Sequence, residues 1–70
     1  MVKLLRITKN KQDGRILDKE YFDGELVDYK GISAYKFQEH EKGPYGYFPV
    51  ERLGRQFDIS KTKVVETILA

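Results

Sequence analysis

Turn signals built on glycine punctuate the first part of this chain at Asp13-Gly14, Asp23-Gly24, Lys30-Gly31 and Gly43-Pro44. They recur at roughly the 8 to 12 residue spacing expected of short antiparallel strands in a small sheet or barrel. Residues 2–8 are rich in aliphatics and stop at Lys9-Asn10-Lys11-Gln12-Asp13-Gly14, after which residues 15–22 resume with Ile16, Leu17, Tyr21 and Phe22. These two segments read as the arms of a hairpin, with a short helix over 16–22 as the other possibility. Asp23-Gly24 reads as a second turn, and residues 25–29 as a short strand closed by Lys30-Gly31. Tyr35 and Phe37 then alternate with Lys36 and Gln38, the period-2 pattern of a half-buried strand. A polar loop, His40-Glu41-Lys42-Gly43-Pro44, leads to a return strand over 45–48. The first 48 residues therefore predict an antiparallel β-meander of four or five short strands.

Seventy residues leave room for one small domain spanning 1–70, with a single core. The chain has no cysteine and one histidine, so neither a disulfide nor a cysteine-based zinc site reinforces that core. Met1-Val2-Lys3-Leu4-Leu5-Arg6-Ile7 is charged within three residues and too short for a signal sequence. No apolar run approaches the roughly 18 residues needed to cross a membrane. The expected compartment is the cytoplasm, with no membrane partner. Charge is unevenly spread, at +4 over residues 1–15, −4 over 16–28 and +2 over the remainder. Such blocks are solvated faces or a polarised surface that orients a charged partner.

The pattern changes at Pro49. Val50, Leu53 and Phe57 fall at i, i+3 and i+7, on one helical face, and proline suits a first helical position. Ser60 suits the N-cap of a second helix whose apolar face is Val64, Val65, Ile68 and Leu69. The segment Leu53-Gly54-Arg55-Gln56-Phe57-Asp58-Ile59-Ser60-Lys61-Thr62-Lys63-Val64 resembles the helix-turn-helix family of DNA-binding motifs. Leu53-Gly54 matches the aliphatic-then-small pair of its first helix, Phe57 the bulky residue before the turn, and Ile59 and Val64 the residues that pack the corner. Asp58 stands where the family usually has glycine. The resemblance implies an α+β fold, with the β-meander followed by a helix pair over 49–70. It also implies double-stranded DNA as the partner, with Ser60, Lys61, Thr62 and Glu66 facing bases and Arg52, Arg55 and Lys63 near phosphates. A homodimer follows from the two-fold pairing common in that family.

A second reading of the same residues is all-β. Thr62, Val64, Val65, Thr67 and Ile68 are β-branched and favour a strand. Residues 57–60 and 63–69 then form a final hairpin around Lys61-Thr62, with a single helical turn over 49–53. The result is an SH3-like small barrel, a class that serves as a protein-interaction or inhibitor module. Here the site is a tyrosine-rich surface of Tyr35, Tyr45 and Tyr47 with Lys36 and Lys42, suited to a protein partner or to stacked single-stranded bases.

Neither reading involves catalysis. A lone histidine, Ser33 and Ser60 in turn-like contexts and no cysteine assemble no triad. Glu39-His40-Glu41 lacks zinc-site spacing, and Asp18, Glu20, Asp23, Glu25 and Asp28 do not match a calcium loop. The expectation is a non-enzymatic binding or regulatory accessory protein with no metal and no cofactor.

Overall fold

The computed structural model describes residues 2–70. Six strands follow one another along the chain: β1 (Val2–Asn10), β2 (Ile16–Tyr29), β3 (Ile32–Gln38), β4 (Tyr45–Pro49), β5 (Gln56–Asp58) and β6 (Lys63–Leu69). A single 3₁₀ turn, Val50–Arg52, separates β4 from β5. The strands form one antiparallel sheet in the order β4-β3-β2-β1-β6-β5, curled into a half-barrel. No ladder joins β4 to β5 among the described residues, so both are open edges.

The N-terminal meander matches the sequence expectation, with one correction. Asp23-Gly24 is not a turn, because β2 runs through it for 14 residues. Gly24 instead marks a change of partner. Residues 16–24 of β2 pair with β1, residues 24–29 pair with β3, and Gly24 alone pairs with both, opposite Val2 and Phe37. A Cβ at Gly24 would sit 3.2 Å from Cγ of Leu4, so the missing side chain is what lets Leu4, 1% exposed, pack against the bend. The two true turns of this region behave as their residues dictate. Lys30 and Gly31 both adopt positive φ (52° and 86°), as a two-residue hairpin of the primed type requires, and Asp28 accepts a hydrogen bond from the Gly31 N–H. Asn10 and Asp13 side chains accept from the Gln12 and Arg15 N–H groups in the first turn.

The α+β class and the helix-turn-helix resemblance are overturned, since the described residues contain no α-helix. The recognition helix disappears, and the reading of DNA binding that rested on it goes too. The all-β alternative fits the chain: β5 and β6 are a hairpin, and 49–53 supplies one helical turn. Val64, Val65, Ile68 and Leu69 satisfy helical spacing, yet they equally make a near-continuous apolar strand for a position with neighbours on both sides. β6 holds such a position, paired with β1 from Leu4↔Leu69 to Asn10↔Lys63 and with β5 from Gln56↔Glu66 to Asp58↔Val64. Gly54 serves conformation rather than helix packing: its φ is +78°, outside the helical region, and its N–H donates to the Thr67 carbonyl at 2.9 Å. Ser60 does cap, but it caps a turn. Its Oγ accepts from the N–H groups of Thr62 and Lys63 at 3.2 and 3.1 Å.

Leu4, Leu5, Ile7, Ala34, Tyr35 and Val64 are the buried apolar residues. Alternation along paired strands puts Leu4, Phe22, Tyr35, Phe37 and Phe48 on one face of the sheet. Arg6 ties that face together. Its guanidinium bonds Glu20 (3.0 Å) and Glu39 (2.7 Å) and lies 4.9 Å over the Phe22 ring. Partial burial opposes the Arg6 charge, but the hydrogen bonds that Arg6 donates to Glu39 and Glu20 outweigh it and hold its pKa above the ordinary arginine value.

Candidate partner-binding surface

The opposite face of β2, β3 and β4 is where tyrosine collects. Lys36 lies opposite Tyr47, and Gln38 opposite Tyr45, so Lys36, Gln38, Tyr45 and Tyr47 share it. Tyr29, at the end of β2, belongs to the same face through Tyr29↔Ile32. Tyr29 and Tyr47 stack with ring centroids 4.0 Å apart and planes 15° from parallel, although β3 runs between their strands. The register explains how they meet. Tyr29 is level with position 32 of β3 and Tyr47 with position 36, so Ala34 lies midway beneath the rings. Its exposure is 0%, and a larger side chain there would hold the rings apart.

Cations line the same surface. The Lys36 ammonium lies 4.5 Å from the Tyr45 centroid, and the Lys30 ammonium 5.3 Å from that of Tyr29. Tyr45 remains 56% exposed and Tyr47 39%. On the other side of β4, glycine at 46 lets Phe37 lie against the strand; a Cβ there would sit 3.2 Å from the Phe37 ring.

Where β2 changes partner, its 16–23 half separates from β3 and leaves a groove of about 510 Å³. Tyr21, Phe22, Asp23, Gly24, Glu25, Lys36, Gln38, Glu39 and Tyr45 form its walls. Tyr21 is 58% exposed, so the groove has an open aromatic wall on each side of the bend. Of its three carboxylates, Asp23 is paired with Lys3 at 2.6 Å and Glu39 with Arg6. Glu25 lies opposite Lys36 in the ladder, yet no ion pair joins them.

The tyrosine surface thus brings together Lys36, Tyr45 and Tyr47 from the expected set. Tyr35 is apart from it: it is 8% exposed and points to the opposite face, opposite Leu26 and Phe48. Lys42 lies on the exposed 39–44 loop. Sequence reasoning missed Tyr29 and Tyr21. Tyr29 had a signal, its place next to the Lys30-Gly31 turn, but its partner across β3 depends on register. The residues once assigned to DNA are scattered. Arg52 sits in the 3₁₀ turn with its guanidinium 5.8 Å from the Phe57 ring, and Arg55 is exposed just before β5. Ser60, Lys61 and Thr62 form the β5–β6 turn, and Lys63 opens β6. Glu66 is occupied by Lys9 at 3.1 Å, both side chains partly buried.

Among the described residues no helix is long and apolar enough to cross a membrane. No protein-family model, curated protein or solved structure matches this chain.

Proposed function

We propose that this protein is a non-enzymatic protein-interaction module that receives its partner on the tyrosine surface of β3 and β4. The observation that carries the reading is the placement of Tyr45 and Tyr47, both exposed, on one face of an open edge strand beside Lys36 and the Tyr29 stack. Tyrosine combines a large rigid contact area with a polar tip, which is why it is enriched in protein interfaces. An unpaired edge strand adds free backbone donors and acceptors for an extended partner segment.

The size of the open surface favours a macromolecule. The accessible area is 5270 Å², whereas a folded chain of this mass exposes about 4500 Å². The open sheet therefore exposes more surface than a closed fold of this mass.

The test is a random-peptide display selection against the immobilised protein, repeated with the Tyr45→Ala/Tyr47→Ala variant. Selected peptides should bind the wild type and lose about tenfold or more in affinity for the variant, a loss in keeping with two central aromatic contacts. Peptides that bind both proteins equally would remove the tyrosine surface as the site.

A further inference from the structure

We propose that the groove at the bend of β2 receives a cationic side chain of the partner, so that the partner segment is a basic extended peptide, and that Lys36 occupies that cation's place in the free protein. This rests on the protein-interaction reading above and names the chemistry of the partner. Three observations carry it.

The first is the groove's composition. Two tyrosines, each more than half exposed, stand at its walls, and because Lys3 and Arg6 neutralise Asp23 and Glu39, Glu25 is the carboxylate that faces them without an ion-pair partner among the described residues. An aromatic face attracts a cation through its quadrupole, and nearby carboxylates strengthen the attraction. The second is the position of Lys36. Its ammonium sits over the Tyr45 ring at 4.5 Å, although Glu25 lies directly across the ladder and an ion pair would be the ordinary outcome. The ring therefore already holds a cation, supplied by the chain itself. The third is the state of the carboxylates. Lys3 and Arg6 engage Asp23 and Glu39, while Glu25 has no ion-pair partner among the described residues. Glu25 is available to a lysine or arginine arriving from outside.

These features fix the sign of an otherwise ambiguous substitution. If Lys36 contacted an acidic or phosphate-bearing partner, its removal would weaken binding. As a stand-in for the partner's own cation, it competes, and removing it frees the ring and leaves Glu25 unopposed. Peptides from the display selection are titrated by fluorescence anisotropy against the wild type, Lys36→Gln, Glu25→Gln and Tyr45→Ala. The selected peptides should be enriched in lysine or arginine. Lys36→Gln should tighten their binding about three- to tenfold, Glu25→Gln should weaken it by a similar factor, and both effects should shrink at high salt. A peptide with norleucine in place of the basic residue should bind the wild type at least about tenfold more weakly.

The outcomes separate the two levels of the argument. Peptides that depend on Tyr45 and Tyr47 but lack basic residues, or that Lys36→Gln weakens, overturn the cation groove and leave the interaction module standing. Peptides indifferent to both tyrosines, or no selected peptide at all, overturn both. Self-association through the same groove would appear as a dimer by sedimentation velocity that Tyr45→Ala dissociates, and would also replace the basic-peptide assignment.

Discussion

At the scale of single residues, small side chains do the positioning and large ones do the contacting. Ala34 is the clearest case. It is buried completely, and the ladder places it under the meeting point of Tyr29 and Tyr47. Ala34→Leu should destabilise the fold by about 1–3 kcal/mol, because a branched side chain overfills a packed position. It should also unstack the rings, worth about 0.5–1.5 kcal/mol beyond their buried area. Urea denaturation followed by tyrosine fluorescence measures both; an unchanged midpoint would mean the rings do not rest on Ala34. Much of the tyrosine surface was legible from alternation alone, since Lys36, Tyr45 and Tyr47 sit at positions whose faces period 2 assigns. The same alternation separates Tyr35 from Lys36, its neighbour in β3, so placing both on one surface went against the period-2 pattern; which of the two faces is buried depends on how the half-barrel curls.

At the scale of elements, the bend in β2 decides where the groove lies. Gly24 is read naturally as a turn residue, next to Asp23 and between two strand-like runs. In the fold it is an interior strand position that meets β1 on one side and β3 on the other. Gly24→Val should push its new methyl groups into Leu4 and the Lys36 carbonyl, which lie 3.2 and 3.8 Å from a built Cβ. The expected loss is about 1–3 kcal/mol by chemical denaturation. If stability holds while peptide binding is lost, the bend tolerates the side chain and the groove does not. The helix-turn-helix resemblance failed on the same scale. Its apolar spacing over residues 53–64 was real, but two patterns satisfy it, and Ser60 caps a helix start and a β-turn with the same pair of hydrogen bonds. The β-branched run at 64–68 was the signal that favoured the strand.

At the scale of the whole molecule, the sheet stays open. The Cα radius of gyration is 12.7 Å, against about 11 Å for an ordinary compact chain of this length. Strand order predicts a gradient of protection in amide hydrogen exchange. β1, paired with β2 on one side and β6 on the other, should exchange slowest, and the edge strands β4 and β5 fastest. Equal protection of β4 and β5 with the centre would mean that the edges pair and the barrel is closed. Binding of a partner segment along β4 should slow that strand's amides and leave those of β5 unchanged.

The sequence by itself determined the β-meander, its hairpin turns at 10–15 and 30–31, and the pairing of Tyr45 with Tyr47 on one side of their strand. Turn chemistry and period-2 alternation are local, acting within a few residues of chain. Only the tertiary structure decided that residues 63–69 form a strand, that Asp23-Gly24 continues one, and that Tyr29 reaches Tyr47 across Ala34. Each of those depends on a neighbour distant in sequence: β1 beside β6, Leu4 beside Gly24, and the shared register of three strands. Local pattern leaves such choices degenerate, and burial against a particular partner resolves them.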